Sequence, residues 1–297
     1  MALHYVVPAG LNLRSEPALR PGNRMAVLPR GHTVERIDDV GAGWWRVGTR
    51  VDGLDLEGHV WAAHLAPRAP ALATTSQLAV DLPASPQARR DRAGHWAFPL
   101  GEPEAPRHTP PTRADDLLEI LAWLAVEESA RYRPGRNTYC NIYAYDVCHL
   151  AGVYLPRVFW NDTALPRVLA GESLPVVPER TVHELSANAL HRWLAGHGAA
   201  LGWARTTLDR AQAAANQGAV AVLSARHTDA NQSGHIAVLV PEGDGRSAVR
   251  DRNGEVLRPV LSEAGRVNRQ WQVPATAWWT QARFRAWSVW VHPGTFA

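Results

Sequence analysis

Cysteine is scarce in this chain. Only Cys140 and Cys148 occur in 297 residues, and their i, i+8 spacing on one predicted helix holds them too far apart to bridge. No disulfide framework is expected, so cysteine usage does not report a compartment. Long apolar runs are missing too: nothing approaches the ~18 consecutive apolar residues of a spanning helix, and no membrane span is expected. The start, MALHYVVPAGLNLR, lacks the basic segment and apolar run of a secretory signal. Synthesis in the cytoplasm is the expectation, with a non-Sec route to any envelope target. Excess charge is low, 31 basic against 28 acidic residues for a net +3. Arginine supplies the positive charge, and no long basic run marks a dedicated nucleic-acid protein. His183, His191 and His197 share one region without His-x-x-x-His spacing, so no metal site and no cofactor are expected, and the three read as surface or capping residues. Gly243-Asp244-Gly245, even with Asp251, is too sparse for a calcium loop and reads as a turn.

What is present is a globular composition, 46% hydrophobic and 20% charged, in a chain long enough for two ordinary domains. Residues 4 to 66 read as short strands separated by turns. Leu11 and Leu13 alternate with Asn12 and Arg14, and further strands fall at residues 26–31, 34–37, 44–47 and 58–61, the spacing of a small barrel. From 67 to 112 alanine, proline, serine and arginine dominate without periodicity. That stretch reads as a linker, in which the HWAFPLG segment is able to dock on a neighbour.

The second half opens with a predicted helix, RADDLLEILAWLAVEESA, whose stripe is Leu117, Leu121, Leu124 and Ala125. The stretch that organises the rest follows it, RNTYCNIYAYDVCHLAGVYL. Asn137 or Thr138 is the expected N-cap and Gly152 the stop. Cys140, Ala144, Val147 and Ala151 recur at helical spacing, so the thiol sits in the first turn of a packed helix. Aligned peptide dipoles there favour thiolate over thiol. Helices over TVHELSANALHRWLAGHG and LDRAQAAANQG come next, then strands at 219–225, 236–240, 248–251 and 256–261, and a closing strand in FRAWSVWVHP. Helices first and sheet second is the α+β order.

A cysteine on an early helix needs a base, and His235 in SGHIAVLV opens an apolar strand. A polar group on a following strand then completes the order Cys, His, acid or amide found in papain-like hydrolases, where the third group fixes the imidazole tautomer. The first-turn N–H groups of the helix are suited to an oxyanion. On these two motifs the second half resembles the NlpC-type and CHAP (cysteine, histidine-dependent amidohydrolase/peptidase) bacterial wall hydrolases. The resemblance implies Cys140 as nucleophile, His235 as base and, within VLSEAGRVN, Glu263 as the third residue with Asn268 in reserve. Tyr132 matches the tyrosine that related enzymes place near the oxyanion, and Asn141 is a second candidate for that region. The usual Asp-Cys-Ser setting is replaced by Tyr139-Cys140-Asn141.

The N-terminal strands resemble the bacterial SH3-like (SH3b) domain through LNLRSEP, VLPRGHTVERID, GWWRVGT and GHVWAAHL, in that order. That resemblance implies wall targeting, with Trp44, Trp45 and Trp61 as candidate wall-binding residues that serve equally as barrel core. The combined expectation is a small β-barrel over 1–66, a linker over 67–112 and a papain-like domain over 113–297. Together they would cleave an amide of the peptidoglycan stem peptide, as a phage-type lysin or an antibacterial effector with a cognate immunity protein. A papain-like amidohydrolase acting on a cytoplasmic substrate and a non-catalytic wall-binding protein are the alternatives. Asp146 reads as a structural hydrogen-bonding group, Cys148 as an inert core thiol, and Trp278, Trp279, Trp287 and Trp290 as residues that finish a core.

Overall fold

A computed structural model describes residues 2–8, 10–51, 53–67, 75–94, 97–243 and 245–293. His95 and Trp96 of the HWAFPLG segment and Asp244 of the expected turn lie outside the described residues. The chain divides into two compact units, Met1–Leu78 with Trp160–Val182, and Ala79–Phe159 with His183–Ala297.

Seven strands open the first unit: β1 (Ala2–Val6), β2 (Gly10–Arg14), β3 (Arg24–Pro29), β4 (Thr33–Gly41), β5 (Trp44–Val51), β6 (Leu54–Trp61) and β7 (Leu65–Ala66). They pair antiparallel in the order β3-β2-β6-β5-β4-β1-β7. The alternation along β2 works as read, burying Leu11 and Leu13 on one face. They join Val6, Leu28, Val34, Val47 and Val60 in a small core of branched aliphatic residues. Gly58 allows β6 to approach β2, since a β-carbon there would lie 2.8 Å from the carbonyl oxygen of Arg14. After β7 the unit contains one turn of helix, α1 (Thr75–Leu78).

The second segment of the first unit, Trp160–Val182, holds α4 (Leu165–Leu169), with β8 (Val158–Trp160) and β9 (Val182–Glu184) at its ends; the second unit carries helices α2 (Ala114–Leu124) and α3 (Cys140–Leu150). It continues through α5 (Ala187–His197), β10 (Ala204–Thr206), α6 (Leu208–Asn216), β11 (Val220–His227), β12 (His235–Leu239), β13 (Val249–Arg250), β14 (Val256–Arg258), β15 (Leu261–Ala264), β16 (Asn268–Gln272) and β17 (Phe284–His292). Six of these strands form one antiparallel sheet, β10-β17-β11-β12-β15-β16. Helix α3 packs on β12 and β15, while α5 and α6 pack on β11. Ala211 and Ala215 of α6 meet Ala221, Leu223, Ala237, Leu239 and Trp279 in the core, small residues letting the helix lie close to the sheet. The fold is α+β, as the element order predicts.

Nine of the eleven residues of α3 are buried. It is therefore a central helix, and the stripe read from Cys140, Ala144, Val147 and Ala151 is only part of its buried surface. It stops at Gly152, whose φ of 69° suits glycine and whose absent β-carbon would lie 2.8 Å from the His108 carbonyl oxygen. The helix predicted over 113–130 is shorter, because Ala125 turns left-handed at φ 44° and caps α2. The strand expected over 256–261 is two, with β14 pairing β13 in a separate ribbon.

The expected linker over 67–112 is corrected in its second part. Residues from Ala79 onward belong to the second unit, where Val80, Leu82, Ala88, Leu100 and Ala105 are buried. The main chain of this segment is held by specific bonds. Arg90 N–H donates to Glu102 Oε2 at 2.8 Å, Gly101 N–H to the Ala88 carbonyl, and Arg131 N–H to the Arg90 carbonyl. Apolar residues placed singly in irregular chain carry no period, which is why composition reads as linker where the fold has an ordered strap.

Candidate active site

Cys140 opens α3, which places its side chain beside N–H groups that no preceding turn can satisfy. The expected caps are not used. Tyr139 is the N-cap residue and makes no side-chain capping bond, so the first-turn donors are not occupied by Asn137 or Thr138. His235 opens β12 opposite Ala225 of β11. Gly234 makes that approach possible, because a β-carbon there would meet the Ala225 carbonyl oxygen at 2.4 Å and Asn188 Oδ1 at 2.5 Å. Asn188, buried on α5, clamps the loop that delivers the histidine. Its Oδ1 accepts from His227 N–H at 2.9 Å and its Nδ2 donates to the Gln232 carbonyl at 2.8 Å.

Glu263 lies on β15, the neighbour of β12 in the sheet. Its Oε2 is 2.8 Å from His235 Nε2. The Cys140 side chain is the other group against this ring, close enough for each to shift the titration of the other. The structure thus brings together Cys140, His235 and Glu263. Trp278 stands edge-on to the His235 ring, centroids 4.7 Å apart at 74°. A cleft of about 530 Å³ opens beside His235 and Glu263, with Asn137, Thr138, Gly234 and Trp278 also in its wall. No described residue of 79–112 lines it.

Burial alone would raise the Cys140 thiol. The charge and hydrogen bond of His235, helped by the backbone N–H groups of Ile236 and Asn141, outweigh it and hold the pKa below the usual thiol value. Burial would likewise lower His235, but the sulfur and then the Glu263 carboxylate lift it to about 10. Both shifts act in the direction of a thiolate–imidazolium pair. Cys148 behaves differently on the same helix: burial with no cationic partner pushes its thiol up, and it is inert core.

The remaining predicted residues have other employment. Tyr132 is fully buried, and its hydroxyl donates to Asp146 Oδ2 at 2.7 Å. It is therefore a core residue beside the Arg131–Asp146 pair and no oxyanion donor, while Asp146 is structural as read. The Asn141 side chain donates to the Leu185 carbonyl at 2.8 Å, so only its backbone N–H reaches the sulfur. Asn268 donates to the carbonyls of Val126 and Tyr132 at 2.8 and 2.9 Å, tying β16 to the chain after α2. His191 is buried against Ser224 at 3.1 Å, where a surface position was expected.

In the first unit Trp44 is buried and meets Trp61 edge-on at 5.3 Å. Trp45 is enclosed by Arg36 and His4, and its Nε1 donates to Asp39. Trp61 alone of the three is exposed, at 39%.

Sequence reading missed Gly234, Asn188 and Trp278 as parts of the site. The glycine before the histidine was visible in SGH. Asn188 carried no signal, and Trp278 was hidden among four terminal tryptophans. Of those four, Trp279 and Trp290 are buried, while Trp287 is exposed.

Comparison with known proteins gives three findings. The chain is similar in structure to NlpC2 from Trichomonas vaginalis at 9% identity and a TM-score of 0.25, over 97% of this chain and 72% of that one. No curated protein matches the sequence. Residues 9–65 match the bacterial SH3 domain family.

Proposed function

We propose that the chain is a cysteine-dependent peptidoglycan hydrolase, an amidase or endopeptidase acting on the stem peptide. The observation that carries this reading is the row Cys140, His235, Glu263, with the thiol buried at the head of α3 and His235 and Glu263 in the wall of an open cleft. The Cys140 thiolate attacks the amide carbonyl carbon, and the oxyanion is met by N–H groups of the first turn of α3. His235 gives its proton to the departing nitrogen as the C–N bond breaks. Water, deprotonated by His235, then hydrolyses the thioester and frees the sulfur. Glu263 is the positioning residue that fixes the ring. The bacterial SH3 match over residues 9–65 supports the wall as the place of action, with Trp61 as the exposed aromatic available to a ligand.

Digestion of purified peptidoglycan by the wild type and Cys140→Ala tests the reading, with released fragments identified by mass spectrometry. Stem-peptide fragments from the wild type alone support it, and their masses name the bond. No release by either protein sinks the wall substrate, and equal release by both removes Cys140 as nucleophile.

A further inference from the structure

The cleft beside His235 is rimmed by four arginines from three separate segments. Arg136 precedes α3, Arg266 and Arg269 belong to the β15–β16 hairpin, and Arg283 precedes β17. Arg269 Nη1 donates to Gln272 Oε1 at 2.5 Å, and the Arg283 guanidinium lies 5.0 Å from the Phe284 ring centroid. Glu263 is the only carboxylate among the described lining residues, and it is held by His235. None of the four arginines forms an ion pair with a carboxylate of the described residues, so the rim keeps its positive charge although the chain as a whole carries only +3.

Like charges gathered around a concave wall raise the local concentration of anions and steer them in. Guanidinium groups present paired N–H donors that match a carboxylate in fork geometry. Their distribution also discriminates. These four stand on three separate segments that line one cleft beside His235 and Glu263. That arrangement fits several singly charged groups spaced along a chain.

We propose that Arg136, Arg266, Arg269 and Arg283 select peptides with free carboxylates flanking the scissile amide, and reject the same peptides once those carboxylates are amidated. The proposal deepens the hydrolase reading and rests on it for the identity of the scissile bond.

The test uses two stem-type peptides of identical sequence, one with free side-chain and terminal carboxylates and the other with each as a primary amide. The free form is expected to show kcat/KM at least about tenfold higher, chiefly through KM, with the advantage shrinking as salt is raised. Arg266→Gln with Arg283→Gln, both at exposed side chains, is expected to bring the ratio toward one. Equal cleavage of the two peptides, or a ratio untouched by the paired substitution, overturns the proposal. Calorimetric titration of both peptides into Cys140→Ala protein reads the carboxylate site without turnover. If neither peptide is cut by the wild type, the hydrolase reading fails by itself. Tighter binding of the free form then still upholds the arginine site, and equal binding overturns it. Displacement of the bound peptide by a short DNA duplex at a lower concentration than by free carboxylate peptide would assign the rim to phosphodiesters and overturn it also.

Discussion

His235 Nε2 lies 2.8 Å from Glu263 Oε2, and that bond holds the ring whose charge lowers the Cys140 thiol. A carboxylate at this distance also favours the charged ring, one of the causes that lift His235 to about 10. Glu263→Gln keeps a hydrogen-bonding group and removes the charge, so His235 loses its proton at lower pH. The expected result is a kcat lower by roughly 10²-fold, with the alkaline limb of the pH–rate profile moved down. Glu263→Asp is expected to restore part of the rate. A Gln variant with unaltered kcat and an unmoved alkaline limb would make Glu263 merely structural.

A thiol lowered by a neighbouring histidine predicts a reactivity profile that needs no substrate. In the wild type the Cys140 thiol is held below its ordinary value by His235, so alkylation by iodoacetamide should already be fast on the acid side of pH 9. Removing the imidazole leaves burial as the dominant influence, and burial raises a thiol. His235→Ala is therefore expected to slow alkylation at neutral pH by at least about tenfold and to shift its midpoint upward. Peptide mapping should find the label on Cys140, with Cys148 unmodified in the folded protein. Unchanged kinetics in His235→Ala would show that the helix terminus, and not the histidine, activates the sulfur.

Gly234 is the point at which backbone packing controls the chemistry. A methyl group there meets the Ala225 carbonyl and Asn188 Oδ1, both closer than van der Waals contact permits. The start of β12 must move to relieve this, and His235 moves with it. Gly234→Ala is expected to cost about 1–3 kcal/mol in stability. It is also expected to cost roughly 10²-fold in kcat, because a displaced base loses its alignment with the sulfur. Denaturant midpoints and initial rates, taken on the same preparation, separate the two effects. Full activity in a destabilised variant would mean that the strain is absorbed on the Asn188 side.

The sequence carried the row of the site better than its surroundings. Cys140 and His235 were legible because each opens a regular element, and an element boundary leaves a pattern in composition. Glu263 was named through family resemblance, and the pairing of β15 with β12 gives it a place beside the ring. Tyr132 and Asn268 misled for a shared reason. Polar residues near a catalytic motif look functional, yet Tyr132 serves Asp146 and Asn268 serves two backbone carbonyls. Non-local hydrogen bonding of that kind leaves no trace in local spacing. The strap from Ala79 escaped for a related reason, since its buried apolar residues meet partners distant in the chain and obey neither period.

In the second unit, Arg131 and Asp146 are both fully buried. Arg131 Nε donates to Asp146 Oδ2 at 2.6 Å and Nη2 to Oδ1 at 3.1 Å, while Tyr132 donates to the same carboxylate at 2.7 Å. Removing one charge strands the other in a fully buried site, which is costlier than removing both. Asp146→Asn is expected to destabilise the second unit by about 3–5 kcal/mol, read by chemical denaturation. The double variant Arg131→Met with Asp146→Leu replaces the pair by apolar side chains and is expected to recover a substantial part of that loss. Because Asp146 lies on α3, the single variant should also weaken the platform that holds Cys140, with alkylation falling in step with stability. Losses that simply add in the double variant would show that the two residues contribute through packing alone and that their charges are not coupled.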